Sequence, residues 1–301
     1  MSPRELTVLI SMCAVWGFHF VVIKSAVDIV PPMFYAAMRL TLVAVVMARF
    51  LRWRPGHMVR VLGAAVFMGG INYAFMFTGI RLGTASAGAI AILLYVPFAT
   101  LLSVIFLQDR VGRRRALGVA LAFAGVAMIA FSKGEARIGL GVGFVAIAAF
   151  SESIGAILIK KSPAFKPFEL LAWFSLIGSM VLWTGATLFE DGKIEAFREA
   201  DKIFLTAAIL YSAFGGSIFG HSAYYWLLQR LPVSQVAPSV LLTTFLAVSF
   251  SVLLLGDPVS LKLVIGGAMT LAGVGVVLLR GPKTRAPPVR PLEAGAPEPL
   301  G

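Results

Sequence analysis

The sequence predicts an all-α integral membrane protein: ten transmembrane helices arranged as two inverted five-helix repeats. Three observations carry that expectation. The first is composition. Of 301 residues, 59% are apolar and 13% are charged, with a mean hydropathy of +0.90, whereas a soluble domain carries about 25% charge. The second is pattern: long apolar stretches alternate with short basic loops, which is how a polytopic membrane chain reads. The third is an internal repeat. Residues 104–128 (VIFLQDRVGRRRALGVALAFAGVAM) match 252–276 (VLLLGDPVSLKLVIGGAMTLAGVGV) at a shift of 148, placing Asp109 on Asp257, Gly118 on Gly266 and Gly125 on Gly273. A shift of 136 places Ile23-Lys24-Ser25 on Ile159-Lys160-Lys161 and Pro31 on Pro167. The shifts differ by 12, the length of the polar stretch 190–201 (EDGKIEAFREAD), so one insertion reconciles them. Duplicated membrane halves are the sequence sign of a secondary transporter, with its site near the bilayer midplane between the halves.

In chain order, the first repeat (1–133) carries spans at 6–27, 34–51, 59–80, 85–107 and 114–132. The second (134–280) carries spans at 139–160, 168–189, 203–228, 234–255 and 262–279. Eighteen residues at about 1.5 Å each approach the roughly 30 Å of hydrocarbon. The first stretch follows Arg4 in the order of a signal peptide, but it carries Trp16 and His19 and lacks a small-x-small cleavage site, so it reads as a retained span. The single cysteine, Cys13, lies within it, so no intramolecular disulfide can form. Gly118, Ala122 and Gly125, and likewise Gly266, Gly273 and Gly275, let helix backbones approach closely. Residues 281–301 are proline-rich and polar and read as a disordered cytoplasmic tail.

Lys and Arg set the orientation. With the N-terminus in the cytoplasm, cytoplasmic segments hold 17 basic residues and the opposite side 7, which favours both termini inside and the 190–201 insertion outside. Five spans per half is odd, so the second half enters from the other side and the repeat is inverted. The net charge of +12 could mark nucleic acid. The basic residues sit at span ends rather than on one patch, so the partner expected is anionic lipid of the bilayer, with no nucleic acid. Small-residue faces serve packing within and between chains alike, which leaves a homodimer open.

Several residues carry a family resemblance: Trp16-Gly17 and Lys24 in the first span, Pro31 leading to Arg39, Pro97 in the fourth, and the Asp109 and Asp257 junctions before spans five and ten. With the five-plus-five plan, these resemble the drug/metabolite transporter superfamily in its ten-helix exporter branch, over roughly residues 5–280. The aromatic central spans are similar to those of bacterial inner-membrane exporters of aromatic and other neutral amino acids. The resemblance implies a multi-pass inner-membrane protein that exports amino acids without ATP.

The residues themselves offer a short list. A charge inside a span is costly and marks a pathway or a structural pair. Glu152 is the acidic residue clearly inside a span, and the shift of 136 sets it opposite Trp16, so both face the pseudo-two-fold axis. Its carboxyl could bind a substrate ammonium or exchange a proton, or simply hydrogen-bond between helices. Arg39 reads as a gate residue, as a contact for a substrate carboxylate, or as an internal clamp on helix carbonyls. Lys24 can snorkel to the interface.

Spans three and eight are unusually aromatic. Tyr73 and Phe77 share a helix face, as do His221 and Tyr225, and the shift of 148 sets His221 on Tyr73. Tyr95 precedes Pro97, a hinge candidate, and Gly69-Gly70 and Gly215-Gly216 mark parallel weak points. The expected substrate-binding set is therefore Trp16, Tyr73, Phe77, Tyr95, Glu152, His221 and Tyr225, with Arg39 and Pro97 as gate and hinge. Such a ring-lined cavity suits an apolar or aromatic solute.

Missing motifs narrow the classes. The sequence has no G-x-x-x-x-G-K-[ST], no H-E-x-x-H and no two histidines at i,i+3 or i,i+4. ATP, a bound metal, a cofactor and a catalytic centre are not expected. The expectation is a secondary exporter of neutral or aromatic amino acids working by alternating access. Export of drugs, nucleosides or other metabolites is the alternative.

Overall fold

A computed structural model describes residues 1–109, 111–131, 136–160 and 165–279. Ten long helices follow one another: α1 (Pro3–Val27), α2 (Pro32–Phe50), α3 (Met58–Leu82), α4 (Ala85–Leu107), α5 (Arg113–Ala130), α6 (Ala136–Lys160), α7 (Pro167–Phe189), α8 (Lys202–Leu228), α9 (Ser239–Leu255) and α10 (Leu261–Leu279). Two short helices, Lys193–Glu199 and Val233–Val236, lie in connections. No strand occurs among the described residues. Eight of the ten helices are long and apolar enough to cross a membrane by length and composition. The other two are α9, apolar but 17 residues long, and α5, 18 residues long and opening on Arg113, Arg114 and Arg115.

The predicted spans match these helices to within a few residues, with the largest offset at the ninth. That span was expected from 234, yet α9 starts at Ser239. Pro238 caps it, and a proline disfavours helix at the residue before it. The tail 281–301, and Arg110, Lys133, Lys161, Arg280, Lys283, Arg285 and Arg290 from the charge tally, lie outside the described residues.

Helix starts are set locally and across the bundle. Ser2 and Glu5 form a capping box on α1, with the Ser2 amide 2.7 Å from Glu5 Oε2 and the Glu5 amide 3.3 Å from Ser2 Oγ. Helix α2 has no side-chain cap of its own. Glu190, at the start of the polar insertion, supplies one from a distance: the Met33 and Phe34 amides donate to its two carboxylate oxygens at 2.7 and 2.9 Å. Burial pushes the Glu190 carboxyl above its ordinary range, outweighing the pull of those two donors and of Arg81 and Lys193. Asp257 does for α4 what Glu190 does for α2, accepting from the Ser86 amide at 2.8 Å and the Ser86 hydroxyl at 2.7 Å.

The most extensive helix contacts are α3 on α6 and α5 on α10, followed by α2 on α7, α3 on α7 and α4 on α6, with α1 packed on α9. Of the glycines expected to lie at close contacts, Gly118, Gly125, Gly266 and Gly273 do so between α5 and α10, whereas Gly275 faces Leu241 of α9 at an ordinary 3.6 Å. A Cβ on Gly118 would sit 2.8 Å from the Gly273 carbonyl oxygen, and one on Gly266 would sit 2.5 Å from that of Gly125. Three helices are irregular within their length, and α2 ends in a 3₁₀ turn at Ala48–Phe50. Val66–Ile71 in α3 and Tyr211–Phe219 in α8 wind as π-helix, and these segments contain the Gly69-Gly70 and Gly215-Gly216 pairs. Ile92–Leu94 in α4 tightens to a 3₁₀ turn, and Pro97 follows it within one turn, lacking the N–H that would bond four residues back.

Candidate functional site

The widened segment of α8 organises the centre of the molecule. A π-helical stretch is rare and frequently occurs at functional sites. Here other helices supply donors to its carbonyls. The Trp16 indole N–H donates to the Gly216 carbonyl at 2.9 Å, and Arg39 Nε donates to the Ser212 carbonyl at 3.2 Å. The Tyr35 hydroxyl bonds the Ala208 carbonyl at 3.0 Å and Ser212 Oγ at 2.7 Å. One turn on, His221 Nδ1 donates to the Ser217 carbonyl at 2.8 Å, which fixes the ring. Close approach explains the glycines: a Cβ on Gly216 would lie 2.8 Å from the His19 ring, and one on Gly220 would collide with the Trp16 indole nitrogen.

Against this segment lies a cavity of about 100 Å³. Helix α3 contributes Asn72 and Tyr73, α6 contributes Glu152, α7 contributes Ser175, and α8 contributes Ser217, His221 and Tyr225. Asn72 Nδ2 donates to the Ala148 carbonyl at 2.9 Å and reaches Glu152 Oε2 at 3.4 Å. Arg39 stands directly behind this wall and is 2% exposed. Its Nη2 donates to Ser217 Oγ at 2.8 Å, and its guanidinium lies 4.8 Å from the centre of the Tyr73 ring, within cation–π range. Neither Arg39 nor Glu152 makes an ion pair among the described residues.

The structure brings together Tyr73, Glu152, His221 and Tyr225 of the expected set in one cavity. Trp16 joins them by an edge contact with His221, centroids 5.7 Å apart at 75°. Phe77 lies one layer back, fully buried and packed on Tyr35 and Tyr73. Tyr95 faces a second, more open cavity of about 370 Å³ with Thr100, Asp109, Arg115 and Lys160. Ser153 ties α6 to it by donating to the Tyr95 carbonyl at 2.9 Å. Because Glu152 and Ser153 are neighbours, α6 stands between the two cavities.

Other sequence readings find their places too. His19 is buried, with Nε2 unpartnered among the described residues. Lys24 is tied to Asp28 at 2.8 Å and to the Arg81 carbonyl at 3.2 Å. Away from the cavity, Trp173 of α7 pairs with Trp53 and donates to the Arg52 carbonyl at 3.1 Å, at the level of a connecting loop. Asn72, Ser175 and Ser217 were not singled out from sequence. The repeat held a signal for one of them, since the shift of 136 sets Ser175 on Arg39. A cleft of about 560 Å³ between α4, α9 and α10 is lined almost wholly by apolar side chains such as Phe245, Leu253 and Val264, which are exposed on the outer face. It offers no charged group. No cluster of His, Cys, Asp or Glu fit to hold a metal occurs among the described residues.

The profile of the EamA-like transporter family matches the chain twice, over residues 4–131 and again over 139–279. The chain belongs to the EamA-like transporter family. Two relatives, in Salmonella typhimurium and Escherichia coli, are each 28% identical over 283 residues, covering 91% of this chain and 94% of theirs, and both are named "probable amino-acid metabolite efflux pump". An "uncharacterized transporter" of Archaeoglobus fulgidus is 23% identical, covering 91% of this chain and 99% of its own. A solved crystal structure with 19% identity superposes with a TM-score of 0.60 over 92% of this chain and 96% of that one, and shows the shared fold. As an EamA-like protein of the drug/metabolite transporter superfamily, the chain is a multi-pass membrane transporter and not an enzyme.

Proposed function

We propose that this EamA-like transporter exports neutral and aromatic amino acids across the bacterial inner membrane, with the central cavity as its binding site. The observation that carries the reading is the placement of Glu152: a carboxyl without a cationic partner among the described residues, set among Tyr73, His221 and Tyr225. That combination suits an ammonium group attached to an apolar or aromatic body. The names of the enterobacterial relatives support the same substrate class.

The working parts are two inverted five-helix halves, residues 1–133 and 134–280. The double family match supports this division. So do the contacts: under the repeat α1 corresponds to α6 and α3 to α8, and both α3 on α6 and α1 on α8 are packed pairs. Under the same correspondence His19 maps to Gly155 and Gly216 to Met68. His19 fills the space at Gly216, and Met68 fills the space at Gly155, so the large and small partners exchange helices. Rocking of the halves about the cavity gives alternating access, with the 3₁₀ turn before Pro97 as a hinge in α4. The Lys and Arg bias supports cytoplasmic termini, which puts the Tyr95–Asp109–Lys160 cavity on the cytoplasmic side.

The test is uptake of labelled amino acids, nucleosides and sugars into proteoliposomes holding the purified protein. Saturable uptake of phenylalanine or another neutral amino acid is expected, and Glu152→Gln lowers it at least tenfold. Silence towards amino acids with uptake of nucleosides or drugs overturns the substrate class.

A further inference from the structure

Arg39 is a buried cation to which the described residues supply no anion. Isolated charges are costly to bury unless they are paired and fully hydrogen-bonded. Arg39 is neither: Nε and Nη2 are satisfied by the Ser212 carbonyl and the Ser217 hydroxyl, while Nη1 has no partner among the described residues. A clamp on α8 would need only the first two contacts, so the remaining nitrogen and the net charge are left unexplained. The ring of Tyr73 offsets part of the charge. It does not replace a counter-ion.

The second observation is Ser217. Its oxygen accepts from Arg39, so its own O–H remains to donate, and its side chain lines the cavity. A hydroxyl whose lone pair is held by a guanidinium is a better donor than a free one, because hydrogen bonds in a chain polarise one another. The opposite charge in this cavity, Glu152, comes from α6 and is held by Asn72 of α3. Arg39 comes from α2 and is held by α8.

We infer that Arg39 and Ser217 form the seat for the substrate's carboxylate, with the Ser217 hydroxyl donating to it directly and Arg39 supplying the charge. This rests on the amino-acid reading of the same cavity and sharpens it: the transported class is the zwitterionic α-amino acid, ammonium towards Glu152, carboxylate towards Ser217. It assigns Arg39 to substrate recognition rather than to a gate. It also means that removing the carboxylate from the solute costs as much as removing the arginine from the protein.

The experiment compares phenylalanine with phenylalaninamide, which keeps the ammonium and the ring and lacks the carboxylate, in proteoliposomes of the wild type, Arg39→Gln, Arg39→Lys and Ser217→Ala. The wild type is expected to prefer phenylalanine by about 10- to 100-fold in kcat/KM, the range of a lost charge-assisted hydrogen bond. Arg39→Gln lowers phenylalanine transport by a similar factor, chiefly through KM, and brings the ratio of the two solutes near one. Arg39→Lys restores part of the preference, and Ser217→Ala lowers it by a smaller factor. If Arg39→Gln fails to fold, Ser217→Ala carries the same comparison alone. Equal transport of both solutes by the wild type overturns the carboxylate seat and leaves amino-acid export standing. Equal loss of both solutes in the folded variants assigns Arg39 to structure and overturns it as well. Transport of neither solute by the wild type is the failure of the amino-acid reading itself.

Discussion

The turns that end α4 and α9 are built alike and used differently. Each stops its helix with a residue in the left-handed region, Gln108 at φ 56° and Gly256 at φ 69°. In each, the next residue is an aspartate whose amide returns to a serine carbonyl: Asp109 to Ser103 at 3.2 Å and Asp257 to Ser251 at 3.4 Å. From there they diverge. Asp257 is 9% exposed and caps the start of α4 through two short bonds to Ser86. Asp109 has a side chain 33% exposed and lies 3.8 Å from Lys160 Nζ, beside the more open cavity. The serine that Asp257 holds has a sequence counterpart, since the shift of 148 sets Ser86 on Ser234. Under the proposed inverted halves, equal sequence in unequal surroundings is the asymmetry expected of any one state, with the Asp257 end latched and the Asp109 end open.

The comparison is broken most strongly at Asp257. Asp257→Ala removes both bonds to Ser86, and the loss of a buried cap costs about 1–2 kcal/mol. If the cap holds its end shut, Ser86→Cys in that background reacts at least tenfold faster with a membrane-impermeant thiol reagent applied on that side. An unchanged rate means the cap is structural only. Asp109→Asn is the matching change in the other half. It removes one long, half-exposed ion pair worth about 0–1 kcal/mol, so labelling at Ser86→Cys stays within twofold of the parent. A change as large as that of Asp257→Ala would erase the asymmetry.

Glu190 tests the latched end by a second route. Glu190→Ala leaves the Met33 and Phe34 amides without acceptors and lowers thermal stability by about 1–2 kcal/mol. Glu190→Gln gives the smallest effect and a signed pH response. Burial raises the Glu190 carboxyl above its ordinary range. The folded state therefore binds its proton more tightly than the unfolded chain, and the stability contributed by Glu190 grows as pH falls from that raised value towards the ordinary one. The glutamine variant lacks this gain, so its melting temperature relative to the parent falls on mild acidification. A parallel pair of curves contradicts the assignment.

The helices were legible because each is a long run dominated by apolar residues. The start of α9 was misread by five residues because Val233–Val236 is apolar enough to extend the run that Pro238 interrupts. Of the lining of the candidate cavity, Glu152, His221, Tyr73 and Tyr225 were legible, since a charge or a large ring stands out among Gly, Ala and Leu. Asn72, Ser175 and Ser217 were not: small polar residues are common within membrane helices, and only the fold shows which of them face a cavity. The π-helical turns were foreshadowed by their glycine pairs. Their consequence, carbonyls that Trp16 and Arg39 reach, depends on tertiary contact. Arg39 itself was visible, but its lack of an acidic partner among the described residues is a fact of three dimensions.

Alternation between the two ends is tested most directly by a reversible cross-link. In a chain carrying Cys13→Ala, Ser86→Cys and Asp257→Cys, oxidation ties α4 to the turn before α10. Exchange of labelled phenylalanine across proteoliposome membranes then stops on oxidation and returns on reduction, while binding to the cavity from the open side persists. Undiminished exchange with the cross-link complete contradicts alternation at that end.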